Sequence, residues 1–185
     1  MSSPTARGAL PRTAARCAGR IGHAASLLPA ALLTLGAVAA GRPDPARAWW
    51  ARVDGQDPAA PSRRPGAWRL VGHALTAIPL GLLALVPVGL EILFVLRGVL
   101  YPVVDDGPYD HSWGGPGLAG AWAAHFLIGL ALAVAGLGAL WLLDRLHHRL
   151  AGWTWGREVG AGAVCALPVL CAAGGVLVVA WTHQL

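Results

Sequence analysis

Two apolar runs, Leu70–Leu96 and Leu118–Leu143, flank one short acidic loop, Val104–Gly117, and this pattern limits the fold more than any other part of the chain. Each run exceeds the ~20 residues needed to cross a hydrocarbon core ~30 Å thick. The loop carries Asp105, Asp106, Asp110 and His111 among glycines and prolines. Its turn-rich backbone would leave polar groups unpaired in lipid, so it has to lie outside the hydrocarbon. The expected unit is a transmembrane hairpin with a structured, charged tip. Composition agrees: 12% of the 185 residues are charged and mean hydropathy is +0.56, whereas a soluble domain carries about twice that charged fraction. The expected fold class is all-α, an integral membrane helical bundle of about four transmembrane helices, with the lipid bilayer as its first partner.

The rest of the chain divides around this hairpin. Residues 1–22 read as a disordered basic N-terminus and 23–40 as a weak first span or signal-like segment. Residues 41–66 read as a Pro/Arg-rich linker, 67–152 as the hairpin unit and 161–181 as a final span. All 14 basic residues are arginine. The arginines sit between apolar runs, where positive charge holds a segment in the cytoplasm, so no nucleic-acid partner is expected. Residues 41–69 hold six of them, and Arg145, Arg149 and Arg157 lie in 144–160. The loop 104–117 holds none, with Arg97 only at its edge. Segments 41–69 and 144–160 are therefore expected in the cytoplasm and 104–117 outside.

The N-terminus conflicts with this rule. If 23–40 spans, the arginines before it lie outside. If it is cleaved, the linker begins outside. A third arrangement has 23–40 in the interface or re-entering the membrane.

A helix over Leu70–Leu100 would be ~46 Å long, too long for an upright span. Pro79 and Pro87 inside it predict a bend. A re-entrant pair broken near Pro87–Gly89 is the alternative. Trp49, Trp50, Trp68, Trp141, Trp153 and Trp155 are expected at the inner interface, and Tyr101, Tyr109 and Trp113 at the outer one. Cys17, Cys165 and Cys171 show no metal-finger spacing.

Glu91 is the one acidic residue inside an apolar run, and a carboxylate there is costly unless paired, protonated or wetted. Glu91 shares a helix face with His73, Ala77 and Ala84, and His125 shares one with Gly129 and Gly136. The expectation is that Ala77 and Ala84 pack on Gly129 and Gly136, and that Glu91 pairs with His125 across the hairpin. The competing reading has Glu91 protonated or snorkelling, and His125 bonding a backbone carbonyl. The loop cluster Asp105, Asp106, Asp110 and His111 offers oxygen and nitrogen ligands, yet such residues in a Gly/Pro loop more often make turns, so no metal is expected there. His147 and His148 continue the third run on a stretch that reads as lying on the membrane surface, with both histidines solvated. No cofactor is expected. No phosphate loop, Ser/His/Asp order or HExxH motif occurs, so the expectation is a non-enzymatic protein.

Trp68-Arg69, Ile78-Pro-Leu-Gly81, Tyr109-Asp-His-Ser-Trp-Gly-Gly-Pro116, Ala119-Gly-Ala-Trp122 and Leu143-Asp-Arg-Leu-His-His-Arg-Leu150 are similar, taken together, to a sensor domain of high-GC Gram-positive bacteria. That domain is a multi-span module often fused to a two-component histidine kinase. The resemblance covers about residues 67–152. The chain departs from it in its single weak upstream run, in Leu150-Ala-Gly152 where Leu-Leu-Gly is usual, and in the extra run 161–181. The resemblance implies a sensor or regulatory module acting through helix packing and a separate output partner: a histidine kinase, another membrane regulator or a second copy of the chain. The alternative is a small transport or channel accessory in which Glu91 and His125 relay a proton or cation.

Overall fold

A computed structural model describes residues 9–55 and 64–183. They are helical, with no strand among them. Helix α1 covers Ala9–Ala39, α2 Asp44–Val53, α3 Ala67–Leu93, α4 Tyr101–Val104, α5 Leu118–Leu150 and α6 Ala161–Thr182. A π-helical turn, Phe94–Val99, extends α3, and a 3-10 turn, Ala151–Trp155, extends α5. Among the described residues, three stretches are long and apolar enough to cross a membrane: Ala14–Ala39, Ala67–Val99 and Leu118–Trp155. A shorter apolar stretch, Ala161–Val176, lies in α6. Only 22% of the most apolar window of each long stretch is buried within the protein. The remaining surface, with Leu33, Leu75, Val86, Leu127 and Val134 exposed, is far larger than a soluble monomer presents. It suits lipid.

The chain forms two compact units, one from 1–83 with 141–185 and one from Ala84–Leu140. In the first, α1 and α3 approach closely because Gly81 has no side chain: a Cβ there would stand 2.5 Å from the backbone nitrogen of Leu28. His23 and His73 pack on the same Trp50 ring at one level of these helices and Leu28 meets Gly81 at another, so α1 and α3 run in the same direction. The short helix α2 provides the return. Pro45 occupies its first turn, where a missing N–H costs nothing. Arg47 Nε donates to the Pro65 carbonyl at 3.0 Å, and the indole N–H of Trp50 donates to Thr34 Oγ1 at 2.8 Å. Gly72 accommodates the ring of Trp153, and Gly174 meets Leu83.

In the second unit α3 and α5 form the expected antiparallel hairpin. The nearest neighbours of Gly136 are Glu91 and Pro87, and the nearest of Gly129 is Phe94. The small-residue face of α5 is therefore used, but the α3 stripe laid on it is Pro87, Glu91 and Phe94. Ala77 and Ala84 are themselves buried. The Gly98 carbonyl, four residues before Pro102, which has no N–H, accepts the indole N–H of Trp122 at 2.7 Å.

Several expectations change. Residues 9–22, read as disordered, belong to α1; residues 1–8 lie outside the described residues. The linker contains α2, with Trp50 and Ala51 buried. Helix α3 is continuous through Pro79 and Pro87, so it is not broken near Gly89. Trp50 and Trp155 are core residues rather than interfacial anchors, whereas Trp68 and Trp113 are exposed.

Candidate functional site

Four histidines and two aspartates from four helical segments meet in the first unit. His23 comes from α1, Asp54 caps the end of α2, His73 comes from α3, and Asp144, His147 and His148 come from the last turns of α5. Helical periodicity explains the α5 contribution, since residues four apart share a face and His148 lies 3.2 Å from the carboxylate of Asp144. His23 Nδ1 donates to Asp144 Oδ1 at 2.7 Å, and His148 Nδ1 donates to Asp54 Oδ1 at 3.1 Å. The other oxygen of Asp54 accepts the indole N–H of Trp155 at 2.7 Å. His73 Nδ1 lies 3.0 Å from Thr154 Oγ1. His148 therefore faces a carboxylate at each nitrogen, and an imidazole donates on both sides only when doubly protonated.

The cluster is buried except for His148, which is half-buried. Side chains of Asp144 and Asp54 are 1% and 0% exposed, and His73 and His147 are fully buried. Imidazole rings stack edge to face: His147 stands 5.1 Å from His23 and 5.0 Å from His73, with Trp50 packed 4.1 Å from His73. Such spacing leaves no slot for a planar macrocycle among the rings. Several polar atoms have no hydrogen-bond partner among the described residues: Nε2 of His23 and of His73, both nitrogens of His147, and Asp144 Oδ2. Each such group costs about 1–3 kcal/mol in desolvation, so their concentration at one place needs a reason. Arg20 Nε lies 3.9 Å from Asp144 Oδ2 and is half exposed.

One side of the cluster opens into a cleft of about 860 Å³. His23, Asp54, Asp144 and His148 line its floor, and Arg16, Arg20, Arg145, Arg149 and Arg157 line its rim. The start of α1, the end of α2 and the end of α5 thus share one place. Helix α1 leaves the cleft, and the end of α2 returns to it.

Asp54 lies outside the candidate spans. Burial pushes its carboxyl up, but the hydrogen bonds from His148 and Trp155 outweigh burial and hold it below the ordinary value of 3.8. A carboxyl with a depressed folded-state value contributes stability above its unfolded value and loses it as pH falls through the folded one. The stabilisation is therefore complete above pH 3.8 and lost below it. Asp54→Asn is expected to lower the melting temperature in detergent near neutral pH and to narrow the gap from wild type on acidification to about pH 3. Parallel melting curves with a constant gap would contradict this role.

The residues singled out from the sequence lie in the second unit, with the exception of Ala77. Glu91 and His125 do not pair. His125 Nδ1 donates to the Ala121 carbonyl at 2.8 Å and its ring stacks on Tyr101 at 4.5 Å. Glu91 Oε1 is buried beside Gly136 without a hydrogen-bond partner among the described residues. A backbone carbonyl one turn away satisfies an imidazole at lower entropy cost than a partner on another helix, and the competing reading of His125 holds. Leu90, Phe94, Arg97, Trp113 and His125 help to line a separate cavity of about 320 Å³.

In the loop, Asp105 Oδ1 accepts the Gly107 N–H at 3.1 Å and the Asp105 carbonyl accepts the Tyr109 hydroxyl at 2.6 Å. This is the turn-making expected of it. No contact joins Asp105, Asp106, Asp110 and His111 into one ligand set among the described residues.

Of the two histidines read as solvated, His147 is fully buried at the centre of the cluster, and His148 is half-buried at its edge on the cleft. The Asp144–His148 spacing on one helix face was visible in the sequence. Nothing in it showed that His23, Asp54 and His73 would join them. No family model matches the chain, and no curated protein or solved structure matches it either.

Proposed function

We propose that this protein is a non-enzymatic regulatory module of the cell membrane, of sensor type, whose state is set by how α1, α2 and α5 pack around the histidine–aspartate cluster. The carrying observation is the buried cluster itself, with partnerless polar atoms beneath an arginine-rimmed cleft. Groups so costly to bury favour a second arrangement in which they are satisfied, and a two-state helix contact is what such a module needs. The resemblance of residues 67–152 to bacterial sensor domains points the same way, with a histidine kinase or another membrane regulator as output. The arginine rim supports a cytoplasmic cleft, with loop 104–117 on the outer face. The relay alternative draws no support from Glu91 and His125, which do not touch.

The test is a distance between α2 and α5. Arg52 and Arg145 are exposed, and spin labels at Arg52→Cys and Arg145→Cys, with Cys17, Cys165 and Cys171 changed to serine, report it in nanodiscs. His148→Ala combined with Trp155→Phe removes the bonds from His148 and Trp155 that tie Asp54, at the end of α2, to α5 and its 3-10 extension. A shift of the distance distribution to a longer, separately resolved population is expected. A distribution identical to that of the protein with His148 and Trp155 intact would overturn the proposal.

A further inference from the structure

We infer that His23, Asp144 and His148 form a binding site for one divalent first-row transition ion. This deepens the regulatory reading by naming the ligand of the same cleft, and rests on that reading only for the consequence of binding. One ligand atom from each residue lies within 4.8 Å of the other two. Asp144 Oδ1 stands 2.7 Å from His23 Nδ1 and 3.2 Å from His148 Nε2. Ligand atoms around a tetrahedral ion with bonds of ~2.0–2.1 Å stand about 3.3 Å apart, so small side-chain movements enclose one. Two imidazoles and one carboxylate suit Zn²⁺ or Fe²⁺. Mg²⁺ and Ca²⁺ prefer oxygen throughout.

Three further observations point to an ion. First, two imidazole nitrogens, His23 Nδ1 and His148 Nε2, converge on the one oxygen Asp144 Oδ1, and the side chains of His23 and Asp144 are 7% and 1% exposed. An ion that takes the place of the imidazole protons facing Asp144 frees both histidines from competing for one oxygen. Arg20, 3.9 Å from Oδ2, neutralises the other oxygen without occupying Oδ1. Second, His148 already has the support that metal-bound histidines carry. Its Nδ1 donates to Asp54, which Trp155 holds in turn, so the ring is oriented and Nε2 is directed at Asp144. Third, His23, Asp144 and His148 all line the cleft, which provides both access and an open coordination position. Asp54, His147 and His148 are also close enough to hold an ion. That set shares His148, however, and His147 does not line the cleft.

The experiment uses the full-length protein in detergent micelles, freed of metal with a chelator, loaded with Zn²⁺ and dialysed. Elemental analysis is expected to find one zinc per chain. His23→Gln and His148→Gln are expected to lose it while keeping their helix content and elution volume. His147→Gln is expected to keep it. Asp54→Asn is expected to bind about 10–100-fold more weakly, as supporting carboxylates usually do. Should the ligand variants not fold, Cu²⁺ loaded into the wild-type protein gives an independent reading: its electron-spin-echo spectrum should show two coupled imidazoles. A wild-type protein that retains no zinc, folded His23 and His148 variants that bind as wild type does, or a copper spectrum with fewer than two imidazoles would overturn the site. The two proposals fail separately. Bound zinc that leaves the Arg52–Arg145 label distance unchanged removes the regulatory consequence and leaves the site standing. Absent zinc removes the site and leaves the distance measurement on the His148→Ala, Trp155→Phe protein to judge the regulatory reading.

Discussion

Asp144→Ala is expected to lower the unfolding free energy by about 3–5 kcal/mol, the usual cost of removing one partner from a buried charged pair. The carboxylate is 1% exposed and faces His23 at 2.7 Å and His148 at 3.2 Å. Its loss strands two imidazoles, His23 and His148. Asp144→Asn keeps the shape and an accepting oxygen, and is expected to cost less, about 1.5–3 kcal/mol, as a hydrogen bond to a charged group does. Unfolding by SDS in mixed micelles, followed by tryptophan fluorescence, measures both. Trp50 and Trp155 border the cluster, so two of the nine tryptophans report on the region. Equal stability of the alanine variant and the wild type would mean that the cluster does not hold the helices together.

Gly81→Val is expected to separate α1 from α3. Its Cβ would stand 2.5 Å from the Leu28 nitrogen and 2.8 Å from the Leu28 Cα. These are backbone atoms, which cannot swing aside as a side chain can. Overpacking commonly costs about 1–3 kcal/mol, and the backbone contact places this substitution at or above the upper end. Close approach through small residues is the main packing device where lipid removes the hydrophobic drive between helices. Gly89→Ala is the control: no atom lies within 4 Å of a Cβ there, and alanine favours helix over glycine by about 0.5–1 kcal/mol. The same SDS titration is expected to show a large loss for Gly81→Val and none for Gly89→Ala. Because α1 carries His23 and α3 carries His73, the valine should also loosen the cluster. Reduced zinc retention by Gly81→Val would follow from that displacement alone, without the loss of any ligand.

The hairpin was legible because its signal is local. Apolar runs of the right length, the Gly129 and Gly136 face and the turn at Asp105 each depend on residues near one another in sequence. Glu91 and His125 show the limit of such reading. Sharing a depth and a face makes a pair feasible, but His125 bonds the Ala121 carbonyl of its own helix instead. The site was missed for a different reason. His23 sat at the edge of a weak run, Asp54 in a proline-rich linker, and His147 and His148 beyond the end of a span. His147 and His148 were read as solvated, and His23 and Asp54 were not singled out. Only the Asp144–His148 spacing carried a hint, and it joined two of the six residues.

What the sequence by itself determined is the all-helical, lipid-facing character of the chain and the α3–α5 hairpin, because hydropathy and helical period act over one segment at a time. What the tertiary structure alone decided is the place where α1, α2, α3 and α5 converge. That convergence depends on α2 turning the chain back after α1, and on Gly81 letting α1 lie against α3 in the same direction. Neither the return nor the close approach is a property of any one segment. Six polar residues spread from His23 to His148 become one buried cluster only when both occur.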